Sequence, residues 1–177
     1  MHRLFVAIVP PAPIRLLLAR HMGGIVGARW QDDSQLHITL RFIGEVDRHR
    51  ARDAAAGLGA IHHPPFRVAL SGLGQFDRKG HIDTLWVGIA PHDELARLHN
   101  KVDQALVRIG LDPETRAYLP HITIARFGRG VGSLAGFMDH IGPVESPAFD
   151  VSHFCLFESH LGRDGPVYEV IDRYPLA

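Results

Sequence analysis

Two copies of a short pattern, His-x-Thr-x, carry the side chains in this sequence that are best suited to acid–base chemistry. They occupy His37–Leu40 and His121–Ile124, where each reads His-Ile-Thr followed by an aliphatic residue. Imidazole has an unperturbed pKa near neutral pH, so one histidine can act as an acid while the other acts as a base. A threonine hydroxyl can donate a hydrogen bond to a charged oxygen. Two imidazoles and two hydroxyls brought together would suit proton transfer on a bound oxyanion.

The histidine and the threonine of each motif share a face only if the motif lies on a β-strand. Side chains alternate faces along a strand, which groups His37 with Thr39 and His121 with Thr123. We therefore expect the aliphatic residues of each motif to pack in a core while the imidazole and hydroxyl face away from it. A lone histidine or a lone strand threonine is better explained by a structural role. The repetition of the whole tetrapeptide favours catalysis.

Three further residues near the motifs are candidates for substrate binding. Arg126 lies five residues after His121, on the opposite face of an ideal strand, but a bulge would turn it inward. Arginine matches phosphate geometry, so Arg126 is a candidate phosphate ligand, with a surface role as the alternative. Tyr118 and Phe42 are candidates for stacking on a nucleic-acid base. Core packing is the alternative for Tyr118 and the favoured role for Phe42.

Apolar periodicity predicts a mixture of strands and helices. The predicted strands are Leu4–Val9, Leu36–Ile43, Phe66–Phe76 with a bulge at Gly72 or Gly74, Thr84–Ala90, Tyr118–Phe127, Ala148–Leu161 and Pro166–Tyr174. The predicted helices are Ala12–Met22, Asp47–Ile61, His92–Ile109 and Ser133–Ile141. Each half of the chain carries one motif strand and two helices, which indicates two similar lobes with a cleft between them. No linker-like stretch is visible, so we expect one domain over residues 1–177.

Composition narrows the classes of function. Lysine plus arginine and aspartate plus glutamate each total 19, and this balance does not fit a protein that coats long nucleic acid. The single cysteine, Cys155, excludes an intrachain disulfide and a cysteine zinc cluster, and its apolar neighbours predict burial. No stretch approaches the ~20 apolar residues of a membrane span, and no targeting segment is visible. A soluble cytoplasmic protein without membrane contact is expected.

The paired motifs and their flanks resemble the 2H phosphoesterase superfamily. The two histidines are 84 residues apart. Within the superfamily, the flanks are similar to the bacterial and archaeal RNA 2′,3′-cyclic phosphodiesterases, formerly called 2′-5′ RNA ligases. The segments that carry this resemblance are Arg3–Ile8, Trp30, Leu36–Val46, Gly74–Phe76, Leu85–Gly88, Arg116–Arg126 and Tyr168–Val170. They extend over nearly the whole chain.

The resemblance implies both a fold and an activity. The implied fold is a bilobal α+β structure, with antiparallel sheets lining a central cleft and helices outside. The implied reaction opens a terminal 2′,3′-cyclic phosphate to the 2′-phosphate without metal or cofactor. Reversible ligation through a 2′-5′ bond would be the same chemistry with an RNA 5′-hydroxyl replacing water. By resemblance, His37 is the proton donor and His121 the proton acceptor, while Thr39 and Thr123 bind the phosphate. The expected partners are RNA ends or nucleotides, including tRNA fragments. The protein is expected to be a monomer.

Three alternatives compete with this interpretation. Gly130–Ala135 fits the G-x-G-x-x-A fingerprint of dinucleotide binding, with Asp150 about 20 residues further on. The preceding strand, however, lacks the continuous apolar run of a parallel strand. A metallohydrolase would use the 13 histidines, but His62, His63 and His99 are predicted to be surface residues. A protein that binds RNA ends without turnover would use the same histidines and threonines.

Overall fold

Nine strands, four α-helices and one 3-10 helix make up the computed structural model, which describes residues 1–177. The strands are β1 (His2–Ile8), β2 (Ala28–Trp30), β3 (Ile38–Val46), β4 (Phe66–Arg78), β5 (His81–Ala90), β6 (His121–Phe127), β7 (Phe149–Val151), β8 (His153–Gly162) and β9 (Gly165–Pro175). The helices are α1 (Ala12–His21), α2 (Arg48–Gly59), α3 (Asp93–Arg108) and α4 (Ala135–Ile141), with the 3-10 helix at Asp33–Gln35.

All the predicted helices and strands are present, with three corrections. The strand predicted over Ala148–Leu161 is divided into β7 and β8. The short strand β2 and the 3-10 helix were not predicted. Gly44 lies inside β3, where the sequence predicted its end. The bulge expected in β4 is confirmed, since the pairing with β5 shifts between Leu70 and Leu73 and Gly72 has a positive φ of 83°.

The sheet is almost divided in two at its centre. Its strands follow the order β7-β4-β5-β6-β3-β1-β8-β9, with β2 also pairing with β6, and all of its pairs are antiparallel. Strands β3 and β6 meet at a single pair, Ile38 with Ile122. We call β3, β1, β8 and β9 the first lobe and the other five strands the second lobe. The predicted bilobal α+β fold is confirmed, and each motif strand is the innermost of its lobe.

The two lobes do not correspond to the two halves of the sequence. The C-terminal strand β8 pairs with β1 from Leu4–Ala7 to Cys155–Glu158, and β9 pairs with β8. The first and last strands of the chain therefore close the first lobe together. The similarity between the lobes lies in the order of strands beside each motif strand, which a search for repeats along the chain does not reveal.

The main hydrophobic core connects both lobes. A cluster of 32 buried residues includes Leu4, Val6 and Ile8 of β1 together with buried residues of α1, α2 and α3. Phe5 and Ala7 point to the other face of β1, where they pack with Cys155 and Phe157. Strand β1 is buried on both faces, which explains its uninterrupted apolar sequence. The predicted burial of Cys155 is confirmed.

Candidate active site

The two His-x-Thr motifs meet in a cleft of about 800 Å³ between the lobes. His37 directly precedes β3 and His121 begins β6, and both line this cleft with Thr39 and Thr123. The aliphatic residues of the motifs are at most 1% exposed and belong to the main core: Ile38, Leu40, Ile122 and Ile124. The alternation predicted from the sequence is confirmed for both motifs.

The same backbone hydrogen bond orients both imidazoles. The Nδ1–H of His37 donates to the carbonyl of Gln35 at 2.8 Å, and that of His121 donates to the carbonyl of Leu119 at 2.7 Å. Each acceptor lies two residues before its histidine. This bond fixes the tautomer and leaves Nε2 as the atom available for proton transfer.

The surroundings of the two Nε2 atoms differ. In the neutral tautomer, Nε2 of His37 accepts a hydrogen bond from the Thr39 hydroxyl at 3.0 Å. No such bond joins Thr123 to His121, whose Nε2 has no protein partner. Only His37 therefore shares its reactive nitrogen with a hydroxyl of its own motif.

Aromatic rings contact each imidazole. His37 contacts Phe5 and Tyr168, with ring centroids 5.0 and 5.4 Å apart. In the second lobe, Phe76 and Trp86 lie 5.0 and 5.7 Å from the ring of His121. Trp86 thus has a packing role beside His121. The two histidines have similar aromatic supports although the supporting residues come from unrelated parts of the sequence.

Burial and positive charge favour the neutral form of both histidines. Burial lowers the pKa of His37 to about 4, and the charges of Arg126 and His121 act in the same direction. The pKa of His121 is also lowered, by burial and then by Arg126. The hydrogen bonds to the carbonyls of Gln35 and Leu119 oppose these effects in part. An anion bound between the histidines would offset the arginine charge and favour protonation.

A β-bulge brings Arg126 to the cleft. On β6, Thr123 pairs with Trp86 while Ala125 pairs with Leu85, so β6 has one extra residue at this point. The bulge reverses the alternation, buries Ala125 and exposes Arg126 on the face of His121. The guanidinium thus lies among the cleft residues, as the sequence allowed if a bulge was present.

The equivalent bulge in the first lobe brings Phe42 to the cleft. On β3, Thr39 pairs with Ala7 while Arg41 pairs with Val6. Phe42, five residues after His37, is therefore the counterpart of Arg126, and it is 53% exposed. The favoured prediction of core packing for Phe42 is wrong, because that prediction ignored the bulge. Arg41 turns away to an ion pair with Asp103 at 2.7 Å.

Positive charge is concentrated in the cleft although the whole chain is neutral. Four arginines and no carboxylate line it: Arg3, Arg29, Arg116 and Arg126. The sequence interpretation named only Arg126 as a ligand, although Arg3 and Arg116 stood in the segments that resembled the family. Arg3 shares the parity of Phe5 on β1, so strand alternation could have placed it on the cleft face. Such a cluster suits a phosphate group.

A second cavity of about 870 Å³ continues from the His121 side of the cleft. Tyr118 and Phe42 both line it, together with polar and charged residues that include Asp83 and Glu114. Tyr118 stacks on His99 and donates from its hydroxyl to the carbonyl of Thr39 at 3.0 Å. His121 borders this cavity and His37 does not.

The histidines and the glycine-rich segment that suggested alternative functions do not form the corresponding sites in the structure. His63 and His99 are only 2% and 8% exposed, so their predicted surface location is wrong. The strand before Gly130 is antiparallel to its neighbours, so Gly130–Ala135 does not form the parallel βαβ unit of a dinucleotide fold. No three histidine, cysteine or carboxylate side chains are grouped so as to hold a metal ion. None of the helices is both long and apolar enough to span a membrane.

The sequence model of the 2′-5′ RNA ligase superfamily matches residues 26–163, which include both motifs. The chain therefore belongs to this superfamily, whose members are 2H phosphoesterases.

Relatives and solved structures agree with this assignment. The chain is 36% identical over 143 residues to the RNA 2′,3′-cyclic phosphodiesterase of Aeropyrum pernix, covering 79% of this chain and 81% of that protein. It is 30% identical over 176 residues to the protein of the same name from Methanocaldococcus jannaschii, covering 97% and 99% of the two chains. The crystal structure of Escherichia coli LigT complexed with 3′-AMP has a TM-score of 0.82 at 28% identity, covering 99% and 98%.

Proposed function

We propose that this chain is an RNA 2′,3′-cyclic phosphodiesterase that opens a terminal cyclic phosphate to the 2′-phosphate. The observation that carries the proposal is the pair of imidazoles, both oriented through Nδ1, in a cleft lined by arginines. The names of its relatives support the choice of substrate. RNA ends, tRNA fragments among them, and 2′,3′-cyclic nucleotides are the proposed partners.

The proposed reaction is an in-line displacement at phosphorus between the two histidines. Water forms the new bond to phosphorus as the bond to the 3′-oxygen breaks, and the two oxygens lie on opposite sides. His121 Nε2 accepts the proton of the water, and His37 Nε2 donates a proton to the departing 3′-oxygen. This division of roles follows the family resemblance. Thr39, Thr123 and Arg126 bind the non-bridging oxygens, while Phe42 and Tyr118 contact a base.

The proposed general acid must gain its proton when the substrate binds. In the ligand-free protein His37 has a pKa of about 4, which leaves it largely neutral at neutral pH. The bound phosphodiester carries a negative charge that offsets Arg126 and raises the pKa of the nearby imidazole. The rate should therefore have a bell-shaped dependence on pH, with limbs that belong to the coupled pair of histidines.

Each of the four 2′,3′-cyclic mononucleotides, incubated with the protein in a strong chelator, tests the proposed activity. We expect the 2′-phosphate as product, and His37→Ala and His121→Ala should each lower turnover by roughly 10²–10⁴-fold. The exposed His62→Ala is the matched control. Activity that disappears in chelator and returns with a metal ion would contradict the mechanism. Binding without turnover would instead support a protein that only captures RNA ends.

A substrate with sulfur at the 3′ bridging position tests the assignment of roles. A thiolate leaves without a proton, so this substrate should restore much of the rate lost in His37→Ala and little of that lost in His121→Ala. The opposite pattern would exchange the two roles. Absence of rescue in both variants would argue against a dedicated general acid.

We also propose reversible 2′-5′ ligation, which is the same displacement at phosphorus with an RNA 5′-hydroxyl in the place of water. The second cavity supports this addition, because it opens beside the proposed base His121 and has room for a second RNA end. Incubation of a 2′-5′-linked dinucleotide should then yield a cyclic phosphate and a free 5′-hydroxyl. Failure to cleave this linkage, in protein that opens cyclic phosphates, would remove ligation from the proposal.

A further inference from the structure

A stacked pair of rings, His99 of α3 and Tyr118, touches the strand that carries Thr39. The two rings are parallel within 1°, and their centroids are 4.2 Å apart. The Nδ1–H of His99 donates to the carbonyl of Leu40 at 2.6 Å, and the Tyr118 hydroxyl donates to the carbonyl of Thr39 at 3.0 Å. The pair thus holds two consecutive carbonyl groups of β3.

The second of these carbonyls lies at a point where β3 has little support from neighbouring strands. Leu40 is the extra residue of the bulge and has no partner on β1. On the other side, β3 pairs with β6 only at Ile38. A bulge locally disrupts the ladder of backbone hydrogen bonds. Side-chain donors at Thr39 and Leu40 replace part of this missing support.

Tyr118 also connects the two catalytic motifs across the cleft. It directly precedes Leu119, whose carbonyl accepts the Nδ1–H of His121. Its hydroxyl reaches the backbone of Thr39, whose own hydroxyl bonds Nε2 of His37. A single side chain thus connects the segment whose carbonyl orients His121 to the residue whose hydroxyl contacts His37.

We propose that His99 and Tyr118 form a clamp that sets the separation and relative orientation of the two His-x-Thr motifs. Both are positioning residues, since they act through Thr39 and Leu40. The inference rests on the proposed function for its catalytic consequence, though not for its structural one. Small displacements of a catalytic group lower turnover strongly, because the reacting atoms must be aligned.

Removal of one hydroxyl tests the clamp against a matched control. Tyr118→Phe keeps the ring and its stacking but loses the bond to Thr39. Tyr174→Phe is the control, because Tyr174 also stacks on a ring, that of Phe154 at 5.0 Å, and donates to a carbonyl, that of Ala55 at 3.1 Å. Tyr174 lies outside the cleft. We expect kcat to fall about tenfold in Tyr118→Phe with little change in KM, and not to fall in Tyr174→Phe.

His99 should support the same segment of β3 as Tyr118. His99→Phe keeps an aromatic ring and loses the bond to the Leu40 carbonyl, so it should lower kcat by a similar factor. The double variant should be little worse than either single variant, because both bonds hold one segment. Fully multiplicative losses would show that the two residues act independently and would overturn the clamp.

Base stacking by Tyr118 predicts different kinetics. If stacking were its only role, Tyr118→Phe would behave like wild type and only Tyr118→Leu would raise KM, and this result would overturn the clamp. Equal losses of kcat in Tyr118→Phe and Tyr174→Phe would also overturn it, since they would reflect stability alone.

A spectroscopic measurement separates the clamp from the proposed activity. The NMR signals of the His37 and His121 rings should shift in Tyr118→Phe and stay in place in Tyr174→Phe. Unchanged signals in Tyr118→Phe would overturn the clamp even in an active enzyme. If the wild-type protein opened no cyclic phosphate, the proposed function would fail while this measurement still decided the clamp.

Discussion

His37 and His121 are oriented by the same local bond, and their shared burial has a consequence for stability. In the folded protein the pKa of His37 is about 4 and that of His121 is also lowered, whereas a free imidazole titrates near pKa 6.5. Between these values the unfolded chain binds protons that the folded protein does not. The stability that the two neutral histidines contribute is therefore fully present above the pKa of the unfolded chain. It is lost as the pH falls toward the lower pKa of the folded protein.

Replacement of His37 should reduce this sensitivity to acid. We expect the free energy of unfolding of His37→Gln to fall less than that of wild type between about pH 7 and about pH 4.5. Urea unfolding at a series of pH values measures the difference, with the exposed His62→Gln as control. If the free energies of unfolding of His37→Gln and wild type differed by the same amount at every pH, the lowered pKa of His37 would be contradicted.

Arg126 should affect both binding and the pH profile. Its charge lowers the pKa of both histidines, and it lies in the cleft among the proposed phosphate ligands. We expect Arg126→Gln to raise KM about tenfold and to shift the pH dependence of kcat/KM to higher pH, because the histidines would protonate more easily. Arg129→Gln, three residues further along and exposed, is the control. An unshifted pH profile would place the Arg126 charge away from the histidines.

At the scale of strands and helices, the sequence predicted the alternation of the two motif strands but not the bulges in β3 and β6 that modify it. The aliphatic residues of both motifs are buried as predicted, because strand parity is a local property of the chain. A bulge depends on the register with a neighbouring strand, so nothing within β3 or β6 alone shows that Phe42 and Arg126 face the cleft. The burial of His99 was predictable, because it lies among the buried positions of α3, one residue after Leu98 and three before Val102.

Position 74 of β4 requires glycine because the indole ring of Trp86 lies directly against its backbone. A Cβ atom at Gly74 would overlap the six-membered ring of Trp86, which supports the imidazole of His121. We expect Gly74→Ala to lower the free energy of unfolding by about 1–3 kcal/mol, as overpacking does, and to reduce turnover as well. Gly136→Ala in α4 is the control, since a Cβ there meets no atom within 4 Å. Wild-type stability and turnover in Gly74→Ala would show that Trp86 moves freely.

For the whole molecule, the balanced composition does not reveal the concentration of positive charge in the cleft, which matters most for the proposed substrate. The balance of 19 basic and 19 acidic side chains argued against a broad nucleic-acid surface, but it could not show that four arginines share one cleft. They come from β1, β2, the segment before β6, and β6 itself. Their convergence depends on the pairing of strands far apart in the sequence, which no local pattern contains.

Residues 1–177 should unfold as a single unit, because the main core includes residues of both lobes and the narrow joint at Ile38 and Ile122 lies within it. Both tryptophans, Trp30 on β2 and Trp86 on β5, belong to the second lobe. Their fluorescence therefore reports the second lobe alone, while far-ultraviolet circular dichroism reports the whole chain. The two signals should give the same transition in urea.

A core substitution in the first lobe makes this test sharper. Leu156 of β8 is 1% exposed in the main core, so Leu156→Ala should lower the free energy of unfolding by about 2–5 kcal/mol. If the lobes unfold together, the tryptophan transition of the second lobe must move to lower urea by the same amount as the circular dichroism transition. Leu161→Ala on the same strand is the control, because that side chain is 98% exposed. A tryptophan transition that stayed in place in Leu156→Ala would show that the lobes unfold independently, and the cleft would then lie between two separate folding units.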